Sequence, residues 1–283
     1  MHFNFPFTAS QILWTLTFAA QLVLLVVLMG RDRMGRYPFF TASIALFALR
    51  LVTEVLLSGR LPIPTLGMIF IAMADLAALV GLLVVLEMAR RAFGEAPRWA
   101  WTTGVLVLLV IAGGVLAVWG PWPPRKDLTL DSPMAVLRLM RLLAQKGDLL
   151  YDLLTVQLGV LVVLFGRRFK AGWRSHTQRI VIGLSTVAAS WLIIEGVWQI
   201  IAATVHPHAQ ADYERIIDLG GKMVNANKAV YIVVLVWWIA CLWFDEPGAV
   251  PMKEQGPLPI PEVAVAEEMH DPQGGTNGAN GGV

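Results

Sequence analysis

Ionisable and polar side chains recur inside long apolar stretches of this chain, and their types are those that hold protons, cations or small polar ligands. Arg50 and Glu54, Asp75, Asp148 and Asp152, Glu195, and Asn227 with Lys228 all lie within runs built otherwise of Leu, Val, Ile, Ala and Phe. A charge at hydrocarbon depth is costly, and it is tolerated where it faces a protein interior or a wet cavity. Carboxylates in such a place become neutral through protonation or attract a cation, while a guanidinium or ammonium beside them favours the charged form.

Spacing groups these residues into stripes. Arg50 and Glu54 stand four apart and can pair on one helix face. Asp148, Asp152 and Thr155 follow the helical repeat, with Tyr151 beside them. Glu195 and Gln199 repeat likewise with Trp191 one turn below, as do Asn227 and Tyr231 next to Lys228. Such stripes turn one polar face toward a bundle interior. Counted from the centre of each run, Arg50 and Asp75 fall near mid-depth. Glu54 then lies about 9 Å, Asp152 and Glu195 about 6 Å and Lys228 about 10 Å toward one and the same membrane face, with Asp148 higher still. Helices that alternate in direction thereby bring their charges into one leaflet. Five acids (Glu54, Asp75, Asp148, Asp152, Glu195) meet two bases (Arg50, Lys228), so pairing within the set leaves negative charge over. The expectation is a polar cavity opening at that face, a ligand- or ion-binding site formed by Arg50, Glu54, Asp75, Asp152, Glu195, Asn227 and Lys228. The competing expectation is an ion-pair network that only sets helix register.

The elements that position these groups are membrane spans. The chain has 283 residues, of which 57% are apolar and 15% charged. A soluble domain carries about 25% charged residues, and the shortfall places this chain in the membrane class. Seven runs are each long enough to cross a bilayer as a helix: Ser10–Gly30, Phe39–Ser58, Thr65–Ala89, Trp99–Trp119, Gly147–Gly166, Gln178–Ala203 and Asn225–Phe244. The fold class is therefore all-α, a polytopic membrane protein with seven transmembrane helices. Residues 1–247 form the transmembrane domain. Residues 248–283, rich in Pro, Gly and Glu, read as a disordered cytoplasmic tail. The first and fourth runs hold no ionisable residue and are expected at the periphery, or packing through small residues such as Gly113-Gly114. Asp131-Ser132-Pro133 is a helix start, and Met134–Leu143 after it either lies on the outer surface or runs straight into the fifth span. Ala209–Leu219 reads as a short helix ended by Gly220-Gly221. The first and last three helices share a basic loop after their first helix and a glutamate in their second, Glu54 and Glu195, as a three-plus-one-plus-three repeat would, but their third helices do not match, with Asp75 against Lys228, and their outer loops differ in length.

Basic residues sort by loop. Arg31, Arg33 and Arg36, then Arg90, Arg91 and Arg98, then Arg167, Arg168, Lys170, Arg174 and Arg179 fall on one side. The short loops of the other side hold only Arg60, Arg215 and Lys222. By the positive-inside rule the N-terminus is outside and the C-terminus in the cytoplasm. Trp99, Trp101, Trp119, Trp122 and Trp243 sit at span ends as an aromatic belt.

Several chemistries find no support. A net charge of +2 argues against nucleic acid as partner. The single cysteine, Cys241, cannot form an intrachain disulfide. No paired aspartates, Gly-framed serine or His-Glu-x-x-His motif marks an intramembrane protease, so no enzyme, catalytic residue or cofactor is expected. His206-Pro207-His208 with Asp212 lacks a third ligand at a diagnostic spacing, so no metal is expected. Lys228 matches the retinal-binding lysine of rhodopsins in topology alone. It lies in the outer quarter of its helix with no acid four residues earlier. Trp173-Arg174-Ser175-His176 reads as a basic loop facing lipid headgroups.

The order of helices, the short Arg-rich loops and the stretch Gly172-Trp173-Arg174-Ser175-His176 resemble a group of bacterial seven-helix inner-membrane proteins. The resemblance covers the seven helices and not the tail. It implies the topology, a bacterial origin and the inner membrane, and it brings no activity with it. The function expected is an integral inner-membrane protein that binds or senses a small ligand or cation and acts through protein partners at its cytoplasmic loops. The alternatives are a small ion- or proton-coupled transporter and a non-catalytic subunit of a membrane complex.

Overall fold

A computed structural model describes residues 8–57, 60–93, 98–119, 122, 133–165, 175–204 and 210–245. Among them are seven α-helices and no strand: α1 (Ala9–Gly30), α2 (Pro38–Leu57), α3 (Ile63–Phe93), α4 (Arg98–Val118), α5 (Pro133–Phe165), α6 (His176–Thr204) and α7 (Gln210–Trp243). Six of them are long and apolar enough to cross a membrane, while the described apolar stretch of α4, Thr102–Val118, is shorter. Large apolar side chains such as Val26, Leu79, Val110, Ile193 and Val233 are exposed on the outside of the bundle. Water would penalise that surface, whereas hydrocarbon requires it. The chain is thus a helical membrane protein.

Six helices close a ring in the order α1, α2, α3, α5, α6, α7 and back to α1, and α4 packs outside it on α5. The peripheral place expected for the fourth helix is found. That expected for the first is corrected: α1 sits between α2 and α7, held by Gln21, whose Nε2 donates to the Tyr231 hydroxyl at 3.2 Å. A buried amide specifies a neighbour as firmly as a charge does.

Local chemistry accounts for the helix ends. α1 opens with a capping box, in which Gln11 N donates to Thr8 Oγ1 and Thr8 N to Gln11 Oε1. It closes with Asp32 N bonded to Met29 O and Arg33 N to Leu28 O, around a left-handed Asp32 at φ 49°. That is the Schellman arrangement, with aspartate where glycine is usual. Replacing Asp32 by Gly is expected to raise stability by less than about 1 kcal/mol, because glycine carries no Cβ penalty there. Equilibrium unfolding in detergent checks this. α2 starts at Pro38, preceded by Tyr37, which cannot cap as Ser or Asp would. The acceptor comes instead from across the bundle, where Glu87 Oε2 takes the Phe40 N–H at 3.1 Å.

Two expected boundaries fall differently. Met134–Leu143 does run straight into the fifth span, giving one helix of 33 residues. The break expected at Gly220-Gly221 is absent, and α7 continues through it for 34 residues. Each interior glycine costs about 1 kcal/mol, but a Cβ on Gly220 would lie 3.2 Å from the Trp198 ring. The glycine lets α7 lie close on α6, and that packing outweighs its propensity.

The basic face, the end carrying Arg31, Arg33, Arg36, Arg90, Arg91 and Arg179, is the tightly built half. The largest buried cluster includes Leu24, Leu28, Phe40, Ile44, Val84, Met88, Leu158, Val162, Ile180, Val234, Leu235, Trp238 and Leu242. Its deepest members, Val84 and Val234, lie nine residues from the helix ends at Phe93 and Trp243, about 14 Å at helical rise. Glycines set the spacing. A Cβ on Gly183 would overlap the Trp238 indole, and one on Gly159 would overlap the Ser185 hydroxyl. Such close approach is how helices associate where lipid offers no hydrophobic drive.

The His206–His208 pair, Gly172–Arg174, Asp131-Ser132 and the tail 248–283 lie outside the described residues.

Candidate functional site

Polar side chains gather at two levels of the ring. The first is at the basic face. The Schellman turn after α1 points Arg33 back into the bundle, where it is 8% exposed. Its Nη1 donates to His176 Nε2, and its Nη2 donates to Phe244 O at 2.9 Å and to Asp245 Oδ1 at 3.2 Å. A guanidinium has only donors, so His176 Nε2 accepts and the ring is neutral with its proton on Nδ1. Burial lowers the affinity of Arg33 for its proton, and the Asp245 carboxylate opposes this. Beside it the hydroxyls of Tyr37 and Thr177 meet at 3.1 Å. Glu87, bonded to Phe40 N, also pairs with Arg91 at 3.7 Å.

This cluster corrects the reading of Ser175-His176 as a headgroup-facing loop. His176 is 1% exposed, and Ser175 caps α6 by accepting from Gln178 N at 3.3 Å. Arg33 was counted among loop charges, yet it joins the α1–α2 turn to both ends of the α6–α7 pair. The signal available was the pattern Ser-x-x-Gln at 175–178, a helix start. Nothing in the sequence distinguishes Arg33 from Arg31 or Arg36.

The second level lies beyond the buried core. Phe40 and Glu87 align α2 with α3, and Arg50 and Asp75 stand ten and twelve residues further along, about 15 and 18 Å. The charges of both reach Asp148 on α5, and the charge of Asp148 reaches Asp152. Tyr151, between them in sequence, wedges against Gly81 of α3. Its hydroxyl is within electrostatic reach of Asp152, Asp148 and Tyr231. Thr155 below returns its hydroxyl to Tyr151 O at 2.7 Å, and Ser185 of α6 donates to Thr155 O at 2.9 Å. Tyr231 receives Gln21 and meets Phe47 edge-on, with ring centroids 6.5 Å apart.

Asp152 is the notable group here. It is 7% exposed, and among the described residues no hydrogen bond or ion pair reaches its carboxylate. Arg50, Asp75 and Asp148 are half-buried. Three carboxylates thus share a low-dielectric interior with one guanidinium, none in direct contact with another among the described residues.

The remaining candidates are placed apart. Glu54 is exposed, and it makes no ion pair with Arg50 among the described residues. Glu195 is half-buried, and Gln199 donates to it at 3.5 Å. Asn227 bonds to Ser190 of α6 and ties α7 to it. Lys228 is half-buried and without an ion pair among the described residues. Electrostatic interactions thus link Arg50, Asp75 and Asp148, and Asp148 with Asp152, around Tyr151, while Gln21 and Tyr231 pair between α1 and α7. Gln21 was overlooked because one neutral amide hardly alters the hydropathy of its run. Among the described residues no group of three His, Cys, Asp or Glu stands close enough to hold a metal.

Fold and site define a multi-helix membrane bundle with polar and ionisable side chains in its interior. No protein-family model, curated protein or solved structure matches the chain.

Proposed function

We propose that this chain is a seven-span protein of a bacterial inner membrane, N-terminus outside and C-terminus in the cytoplasm, that binds a small ligand or cation at its interior carboxylates. It passes the bound state on through protein partners at its cytoplasmic loops. The observation that carries this reading is Asp152, 7% exposed and without a hydrogen bond or ion pair among the described residues, with the charge of Asp148 acting on it. An unpartnered buried charge is destabilising, and a group kept at that cost is the default mark of a ligand or ion site within a membrane.

Binding is favoured over passage by the other half of the bundle. A carrier must open its site to each side in turn. Here the buried apolar cluster and the Arg33–His176 junction fill the basic half, which supports access from the opposite face.

Thermal unfolding in detergent across a panel of cations and small polar ligands tests this. A ligand present at a hundred times its Kd adds about 2.7 kcal/mol, or about 5–10 °C for a domain of this size. Asp152→Asn, equal in size and neutral, is expected to fold and to abolish the shift. An unchanged shift in Asp152→Asn would refute the assignment. Ligand flux into liposomes containing the wild-type protein would move the reading to a carrier.

A further inference from the structure

We propose that the junction of Arg33 with His176 is a proton-operated latch: a proton on His176 releases Arg33 and frees the end of α7. The contact itself sets the condition. Arg33 Nη1 donates to His176 Nε2, so that nitrogen must offer a lone pair. A proton taken up at Nε2 removes the acceptor and sets an imidazolium against a guanidinium. Water screens the two poorly, since His176 is 1% and Arg33 8% exposed, and like charges in contact there repel strongly. Arg33, carried on the turn between α1 and α2 rather than on a helix, is the group that can leave. Its departure has a defined consequence. Nη2 of the same guanidinium donates to Phe244 O and to Asp245 Oδ1, the two residues that follow α7. A rigid fork shared between His176 and the α7 end loses its aim at both together. The state of one histidine at the start of α6 is thereby tied to the end of α7.

Other charges surround the pair. Asp245, Tyr37 and Arg31 act on Arg33. Arg36 and Arg91 lie over the Tyr37 ring, and Glu87 of α3 pairs with Arg91. Arg179 stands one turn along α6, and its charge reaches Cys241 of α7. The described part of α5 carries no ionisable residue beyond Asp152. Of these residue types histidine alone ordinarily changes charge between about pH 5 and pH 8. The sign follows from the two states. The unfolded chain takes up a proton at His176 near the ordinary value of about 6.5, whereas the native junction holds the ring neutral. The unfolded state therefore binds more protons as pH falls through that value, and stability falls with it.

The test compares the full-length protein in nanodiscs with His176→Gln, whose carboxamide oxygen still accepts from Arg33 and takes up no proton. Unfolding temperature is read from about pH 8 to about pH 5, together with maleimide labelling of Cys241, the single cysteine, 8% exposed and one turn before Asp245. His2, His206, His208 and His270 are common to both chains, so the difference reads His176 alone. The wild type is expected to lose several degrees that His176→Gln keeps, and to label severalfold faster than the variant only at the acid end. Arg33→Gln, neutral and able to accept from an imidazolium, is expected to lose the same pH dependence, and it decides the matter should His176→Gln not fold. Glu87→Gln and Asp245→Asn are expected to retain it. Parallel pH profiles of the wild type and either glutamine variant at 176 or 33 overturn the proposal. So does a fall in stability that Glu87→Gln or Asp245→Asn abolishes, since the proton then acts elsewhere. A difference in stability without faster labelling of Cys241 overturns the release of α7, and with it the latch.

Discussion

Trp238→Ala lowers the unfolding temperature by about 10 °C. The indole is 1% exposed, stands edge-on to Phe40 at 5.1 Å between centroids, and donates to Arg179 O at 3.4 Å. It fills the space that Gly183 leaves on α6, so its removal opens a void among α2, α6 and α7 that those helices cannot close. Truncating a buried tryptophan costs about 3–5 kcal/mol, and each kcal/mol moves a domain of this size by about 2–4 °C. The same geometry predicts a reversal of sign. Gly183→Val alone forces a side chain into the indole and destabilises, whereas in the Trp238→Ala background it fills part of the void and restores stability. Thermal unfolding of the two single variants and the double variant measures the coupling. Additive effects would mean that Gly183 and Trp238 do not share one space.

Arg33→Ala comes next, at about 3 kcal/mol. Arg33 donates to His176, to Phe244 O and to Asp245, and its loss strips the donor from His176, which water reaches poorly. Hydrogen bonds to a buried charged group are worth about 1.5–3 kcal/mol, and leaving their partners unmet adds to the cost. Most of this comes from His176, which is 1% exposed, because Phe244 and Asp245 are both exposed and a solvated ion pair contributes little. Asp245→Asn should therefore cost under about 1 kcal/mol. Arg33→Lys should recover little, since one ammonium cannot reproduce a planar fork aimed at three acceptors. Chemical unfolding in detergent orders the three variants. If Arg33→Lys matched the wild type, the fork geometry would be irrelevant.

The spans were readable because bilayer thickness imposes a length on each apolar run. The ionisable residues within those runs announced a polar interior for the same reason, as hydrocarbon tolerates few of them. Height could also be counted along each helix, with Arg50 and Asp75 near mid-depth and Asp152 and Asp148 further toward one face. Direction around the helix was less secure. Glu54 and Arg50 share an i,i+4 face in principle, yet Glu54 is exposed and the pair does not close among the described residues. The sevenfold count is supported for six helices, with α4 shorter in its described part.

Composition and periodicity alone established that this is a helical membrane protein with charge inside its spans, because both follow from the solvent each residue must meet. Which helices are neighbours was settled by packing between distant positions, such as Gly183 against Trp238 and Gln21 against Tyr231, and no local pattern encodes such pairs. The same holds for Arg33. Three similar arginines share one loop, and a single left-handed residue at Asp32 sends only this one into the core.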